Sequence, residues 1–536
     1  MAFSGAVKLG DLDDFINPSQ DCIVPLMTVG KDGGAVNIEN DVGDALVARR
    51  EVIAKPTTAK PEAKPDVKPD LIKSKEGDKA QISLSDCLAC SGCVTSAETI
   101  LLQDHSTSEF VRRAREAEAT VVTISPATRT DLAAHYGLEP MDTLRRLTTV
   151  LARFNVTFVV DGTVAEAISL VEAKREFLRR RKEGKLPVLT SHCPGWTCYA
   201  EKVVDQKIIP HLSSVRSPQQ IQGQLAKTQI LETLNIRRHR AGMALASDPT
   251  LAGLKPWGQR LGAAPVPRSK VYHVSVQPCF DKKLEAARGE YTHSFGTTEE
   301  GIPEVDTVLA TGEIQDLLQQ EGIDLRHVEP WAVDCGGVGG TLLSCYDGLN
   351  TPTADAGSGG FLEYVFRAAA AETLGPEAAA APLKFTQKQN EDMREVVLES
   401  EGKVVMKFVA AYGFRNVQNI IRRIKKGQTT GKVDFDYAEV MACPGGCLNG
   451  GGQIRGDDDE DRGPRMMRLE GVLHGTAAVV APDRHPWLQA AVSVLDAAWK
   501  ISSDVLTTPR WASVHYKSIK VDEDGNEVAQ ASALKW

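Results

Sequence analysis

The sequence predicts an α/β protein built on parallel sheets. Two observations lead there. From about residue 116 onward, short apolar strands alternate with helical stretches, the pattern of a parallel sheet with helical crossovers. In addition, Cys193, Cys279, Cys443 and Cys447 each fall just past an expected strand, where a doubly wound sheet gathers a site. At 536 residues the chain exceeds one simple core, and two or three domains are expected.

The alternation starts with Thr120–Ser125, a buried strand with Pro126 opening the next helix, and continues with Val156–Asp161 and a helix over 163–182 that ends in basic residues. Leu186–Ser191 is the third strand. A helix near 217–234, an irregular Pro- and Arg-rich piece at about 236–268, strand Lys270–Val276, strand Asp306–Ala310 and a helix through Gln320 follow. Val396–Ala411 reads as a pair of strands, 415–426 as a basic helix with a solvated charged face, and Phe435–Met441 as the strand entering Cys443. The expected boundaries are an N-terminal module at 1–115, a first lobe at 116–268, a second lobe at 269–500 and a tail at 501–536. Residues 55–70 repeat Lys-Pro and Pro-Asp steps with almost nothing apolar, so about 51–80 is expected to be a solvated, disordered insertion.

Composition excludes several classes. With 42% hydrophobic and 25% charged residues the chain reads as an ordinary globular protein, and its net charge of −9 argues against nucleic-acid or anionic-membrane binding. No run of about 18 apolar residues suggests a membrane span. The first residues lack the apolar core of a signal peptide and the arginines of a transit peptide, so the cytosol, shared with the nucleus, is the expected compartment. Eleven cysteines then favour metal or cluster ligation over a disulfide framework.

Two cysteine constellations stand out. Cys443 and Cys447 flank Pro444, Gly445 and Gly446, with Gly450–Gly452 close behind. Glycines lacking Cβ let such a loop turn tightly and aim N–H groups at an anionic object, such as an iron–sulfur cluster held by thiolates. Upstream, Cys87, Cys90 and Cys93 match the first three ligands of a bacterial ferredoxin run, but Ala97 stands where the fourth would be. Cys22, across the insertion, is the candidate fourth ligand. A structural zinc on the same sulfurs is the rival, although zinc sites usually present two separated Cys-x-x-Cys pairs. Cys198, Cys335 and Cys345 fit neither constellation.

Thr190-Ser-His-Cys-Pro-Gly-Trp196, Gln277-Pro-Cys-Phe-Asp-Lys282 with Glu285, and Glu439 through Gln453 resemble the three signatures of iron-only hydrogenases over most of 116–500. The resemblance implies a two-lobed iron-only-hydrogenase-like fold and a [4Fe–4S] cluster on Cys193, Cys279, Cys443 and Cys447. Three departures count against hydrogen chemistry. His192 stands where those enzymes have a proton-relaying cysteine, Gln277 replaces the methionine of the second signature, and their extra ferredoxin clusters are missing. Lys282, matching a residue that binds diiron ligands, is retained. The whole pattern, with Asp11–Pro18 before Cys22 and Leu84–Cys93, resembles the hydrogenase-like cytosolic iron–sulfur assembly factors known as Nar-type proteins. That resemblance implies two [4Fe–4S] clusters, the first on Cys22, Cys87, Cys90 and Cys93. It also implies an adaptor or carrier role between the early cluster scaffold and the late targeting complex that serves client apoproteins. A true hydrogenase or other redox enzyme is the alternative. The tail Ala533-Leu-Lys-Trp536 resembles termini that dock onto the targeting complex, with Leu534 and Trp536 as anchors and Lys535 as a departure.

Overall fold

Two parallel strands in sequence need a crossover of a dozen or more residues between them, and the chain supplies one after nearly every strand. The computed structural model describes residues 105–204, 206–236, 265–288, 301–331, 356–388, 390–455 and 462–475, with a few shorter pieces. Cys22, Cys87, Cys90 and Cys93, the insertion at 51–80, the acidic run at 457–461 and the tail with Leu534 and Trp536 lie outside the described residues.

Helix α1 (Thr107–Glu116) is capped by Ser106, whose hydroxyl accepts the Glu109 N–H at 3.3 Å. Strand β1 (Ala119–Ile124) is buried along its whole length, as a central parallel strand should be. Its side chains alternate between faces, Val122 and Ile124 to one core and Ala119 and Val121 to the other. Ser125 caps α2 (Pro126–Tyr136), which begins on Pro126, and α3 (Pro140–Ala152) leads to β2 (Phe158–Asp161). Helix α4 (Thr163–Lys182) is buried along most of its length and packs into the larger core, with Arg175 and Lys182 exposed.

The second part of the chain runs through β3 (Val188–Thr190), α5 (Pro194–Lys202), α6 (Pro218–Leu225), β4 (Val271–Gln277), α7 (Asp281–Ala286), β5 (Thr307–Ala310) and α8 (Thr311–Gln320). Then come α9 (Phe361–Leu374), β6 (Thr386–Gln387), β7 (Met393–Ser400), β8 (Lys403–Tyr412), α10 (Phe414–Thr430), β9 (Tyr437–Met441) and α11 (Arg462–Gly475). The helix expected over 217–234 is interrupted: α6 passes into a wide π turn at Ala226–Ile230 before resuming.

One sheet has the order β2-β1-β4-β5 and is parallel throughout; the other runs β3-β9-β8-β7-β6. In the second, β3, β9 and β8 are parallel, while β7 and β8 form an antiparallel hairpin and β6 adds an antiparallel edge. Chain order and sheet order therefore differ from the expected split at residue 268. Strand β3, from the expected first lobe, joins the second sheet, and β4 and β5, from the expected second lobe, complete the first. A buried strand reads as the same apolar run whichever sheet it joins, so the exchange leaves no mark on the pattern.

The larger core fills the space between the two sheets, with α4, α6 and α9 in it; a smaller core lies on the far face of the first sheet. Phe408 sits at the centre of the second sheet's packing, ringed by Phe177, Phe366 and Tyr437 at centroid distances of 4.9–5.3 Å. Replacing Phe408 with Ala should cost about 3–5 kcal/mol, read from denaturant unfolding.

Two buried histidines make the fold sensitive to acid. Burial first, then the Lys283 and Arg113 cations, push His105 down to about 4. Burial does the same to His273, down to about 4, although the Glu304 carbonyl it bonds pulls the other way. Both are neutral in the folded state and protonate near 6.5 once unfolded. The native state is thus favoured fully above pH 6.5, and this stability is lost as pH falls toward 4, at roughly 1.4 kcal/mol per histidine per pH unit. Unfolding measured at several pH values should show that slope, and His273→Asn should flatten it.

Candidate metal centre

The carboxyl ends of three strands meet where the two sheets face each other. Strand β3 delivers Cys193, which sits at the N-cap of α5; β4 delivers Cys279; β9 delivers Cys443 and, after a tight turn, Cys447. All four line one cavity, together with His192, Gln277, Lys282, Ser358 and Glu166. Strand ends from both sheets therefore share the site, which is the position a parallel α/β fold reserves for its ligand.

Hydrogen bonds fix each loop. Ser191 Oγ accepts the Cys193 N–H at 3.0 Å and donates to the Val440 carbonyl at 2.5 Å, tying β3's exit to β9. The Cys447 N–H donates to Ser358 Oγ at 3.0 Å, and the Gly445 N–H to Asp392 Oδ1 at 2.7 Å, with Arg462 paired to the same carboxylate. Lys282 Nζ donates to the His192 carbonyl at 2.7 Å and pairs with Glu285 at 2.6 Å; Glu285 also accepts from Ser217. The retained lysine is thus held by the protein itself.

Three of the loop's other glycine N–H groups are engaged by the protein's own backbone. The N–H groups of Gly446, Gly450 and Gly452 bond the carbonyls of Cys443, Cys447 and Pro278, at 2.8–3.0 Å. Their small size is what matters. A Cβ on Gly450 would fall on the Pro278 carbonyl oxygen, and one on Gly446 (φ +75) on Ser358 Oγ. The Cys447 loop can therefore press flat against the Cys279 loop. Backbone amides reach two of these sulfurs: the Ala442 N–H lies 3.5 Å from Cys193 Sγ, which also accepts from the Trp196 N–H, and Cys279 accepts from the Asp281 N–H. Gly450→Ala should cost about 1–3 kcal/mol through this overpacking, and a melting temperature equal to wild type would contradict the reading.

The thiols are held in an environment hostile to bare thiolates. Contact with Cys443 and then burial push Cys279 well up. Burial, with the other sulfurs as lesser causes, pushes Cys193 up to about 12 and raises Cys447 too. Positive charge placed among the sulfurs would relieve this, which is what bound metal supplies. The cavity offers about 60 Å³ of water-accessible space, where one water needs about 10–15 Å³ on that measure. A group larger than a single ion therefore fits, and among the described residues no three Cys, His, Asp or Glu side chains converge as a single-ion site. The donor set and the space suit an iron–sulfur cluster.

His192 bonds one of the four cysteines directly: its Nε2 lies 3.1 Å from Cys447 Sγ, and its ring packs edge-on against Phe361 at 5.5 Å. Burial, and secondarily Lys282, hold the imidazole neutral, down to about 3. Gln277 turns its amide onto Ser275 Oγ at 2.8 Å. Cys198 lies one turn beyond Cys193 on α5 as a free thiol, pushed up to about 11 by burial, and does not line the cavity. Ser358 and Asp392 went unnoticed in the sequence; neither stands in a pattern that marks it, whereas Ser191, beside His192 and Cys193, was in plain view.

Fold and cleft together define an α/β protein of the iron-only-hydrogenase type. Residues 118–241 and 259–451 match the family described as iron only hydrogenase large subunit, C-terminal domain. Among solved structures, a variant of [FeFe]-hydrogenase HydA1 from Chlamydomonas reinhardtii aligns with a TM-score of 0.57 at 19% identity, over 77% of this chain and 98% of that one. Closer in sequence are cytosolic iron-sulfur assembly component 3 of Bos taurus, 38% identical over 92% of this chain and 94% of that protein, and protein NAR1 of Arabidopsis thaliana, 37% identical over 90% and 91%. The cytosolic Fe-S cluster assembly factor narfl of Xenopus tropicalis is 38% identical over 100% of this chain and 99% of its own. The chain belongs to this Nar-type family of iron-only-hydrogenase-like proteins.

Proposed function

We propose that the protein works in cytosolic iron–sulfur protein assembly as a cluster-bearing adaptor or carrier, not as an enzyme. Support for the pathway comes from relatives named for cytosolic iron–sulfur assembly, those of Bos taurus and Xenopus tropicalis. The observation that bears most on the chemistry is the cleft, where Cys193, Cys279, Cys443 and Cys447 line one cavity. In this reading those four sulfurs hold a [4Fe–4S] cluster, which supplies a redox-active iron–sulfide centre when bound. The chain's own part is to seat and shield it. Ser358 and Ser191 orient the backbones of Cys447 and Cys193, and Lys282, already engaged by Glu285 and the His192 carbonyl, braces the loop.

The second cluster would sit on Cys22, Cys87, Cys90 and Cys93, with the early scaffold, the targeting complex and client apoproteins as partners, and a cytosolic and nuclear location. Leu534 and Trp536 would anchor the targeting complex. Cys22→Ala should then degrade one cluster and leave the other, as seen in iron content and EPR; unchanged signals would remove Cys22 from the site. The functional test is maturation of a cytosolic iron–sulfur enzyme in cells carrying Cys447→Ala. The reading expects the client to accumulate without its cluster, and normal client activity would refute it.

A further inference from the structure

A thiolate that ligates iron still has lone pairs, and a donor aimed at them changes how readily the cluster takes an electron. Among the described residues, the Cys447 sulfur has such a donor in His192. The Nε2···Sγ distance is 3.1 Å. The opposite ring nitrogen, Nδ1, is buried and has no hydrogen-bond partner. With sulfur as the acceptor, the proton belongs on Nε2.

The ring cannot easily turn away. Phe361 packs against it edge-on, and a Cβ built on Gly359 would come within 3.3 Å of His192 Cε1, so that glycine leaves just the room the imidazole needs. Its backbone is pinned as well, because Lys282 Nζ bonds the His192 carbonyl at 2.7 Å. The segment Gly359–Phe361 and Lys282 on α7 therefore hold one N–H against one sulfur. Cys193 and Cys279 meet backbone amides instead, those of Ala442 (at 3.5 Å) and Trp196 for the first and of Asp281 for the second.

We propose that His192 is a positioning residue that donates a hydrogen bond to the Cys447 thiolate and raises the reduction potential of the cleft cluster. The inference rests on the reading that the four cleft cysteines hold a cluster. The physical reason is charge. Reduction adds an electron to an already anionic unit, and an N–H directed at one of its sulfurs stabilises the reduced form more than the oxidised one. Nothing is transferred; the proton stays on the imidazole. The hydrogen bond acts at Cys447, which has a side-chain donor where Cys193 and Cys279 meet backbone amides.

The test uses the full-length chain, purified anaerobically, with His192→Leu, which removes the donor, and His192→Gln, which can restore an N–H. Iron and acid-labile sulfide are measured first, then the midpoint potential of each cluster by EPR-monitored titration. His192→Leu should retain wild-type iron and lower the cleft potential by roughly tenfold in the equilibrium, about 59 mV for a one-electron couple. His192→Gln should recover much of the shift, and the other cluster should not move. A fully loaded His192→Leu protein with an unchanged cleft potential would overturn the proposal. So would an equal shift in both variants, since that reports packing and not the hydrogen bond. Wild-type protein without iron in the cleft would instead refute the cluster reading on which this one stands.

Discussion

Cys443→Ala should empty the cleft, removing about half of the iron if each site holds one [4Fe–4S] cluster, and should sharply lower soluble yield. The reason lies in where the ligands come from. Cys279 leaves the first sheet, while Cys193, Cys443 and Cys447 leave the second, so the proposed cluster would staple both sheets at their carboxyl ends. Metal affinity in such a site is also folding free energy. Without Cys443, one buried and two half-buried thiols remain whose surroundings disfavour the charged form. A Cys87→Ala variant, altering only the N-terminal module, should lose yield less. Equal yields from the two variants would show that the cleft site does not brace the fold.

Arg216→Ala should destabilise the protein by about 3–5 kcal/mol. Arg216 is paired with Glu304, which is fully buried and also accepts from Gln224 Nε2 at 3.0 Å. The guanidinium further covers the Tyr291 ring at 5.3 Å. Helix α6 packs so closely here that a Cβ on Gly223 would run into the Glu304 backbone. The carboxylate therefore has little freedom to reach water once its cation is gone, and a buried charge stripped of its counter-ion is among the costliest single changes. The double variant Arg216→Met, Glu304→Gln should recover most of the loss in urea unfolding. If the single variant melts like wild type, the pair is not structural.

Much of this could be read before any coordinates. Strand–helix alternation gave the α/β class, and the Pro or Gly beside each of Cys193, Cys279, Cys443 and Cys447 marked loops at strand ends. Those positions meet because parallel strands all point their carboxyl ends the same way. What could not be read is pairing. The run Val188–Thr190 is as apolar as any central strand, and nothing in it says that its neighbour is Tyr437–Met441, some 250 residues on. Local chemistry was also partly hidden. Ser358 lies in a glycine-rich stretch without periodicity, and Asp392 just before a strand, yet both hold the Cys443–Cys447 turn through backbone amides. The glycines also serve a purpose their pattern does not reveal: Gly446 and Gly450 give the turn a surface without Cβ, against Ser358 and Pro278.

One measurement tests the central claim most directly: anaerobic, full-length protein analysed for iron, acid-labile sulfide and zinc, with infrared spectra on the same sample. The account predicts iron and sulfide in equal amounts, enough for two [4Fe–4S] clusters, no bands from carbon monoxide or cyanide ligands, and no hydrogen evolved from reduced viologen. Zinc in place of iron at the cleft, or diiron-ligand bands with hydrogen turnover, would contradict it.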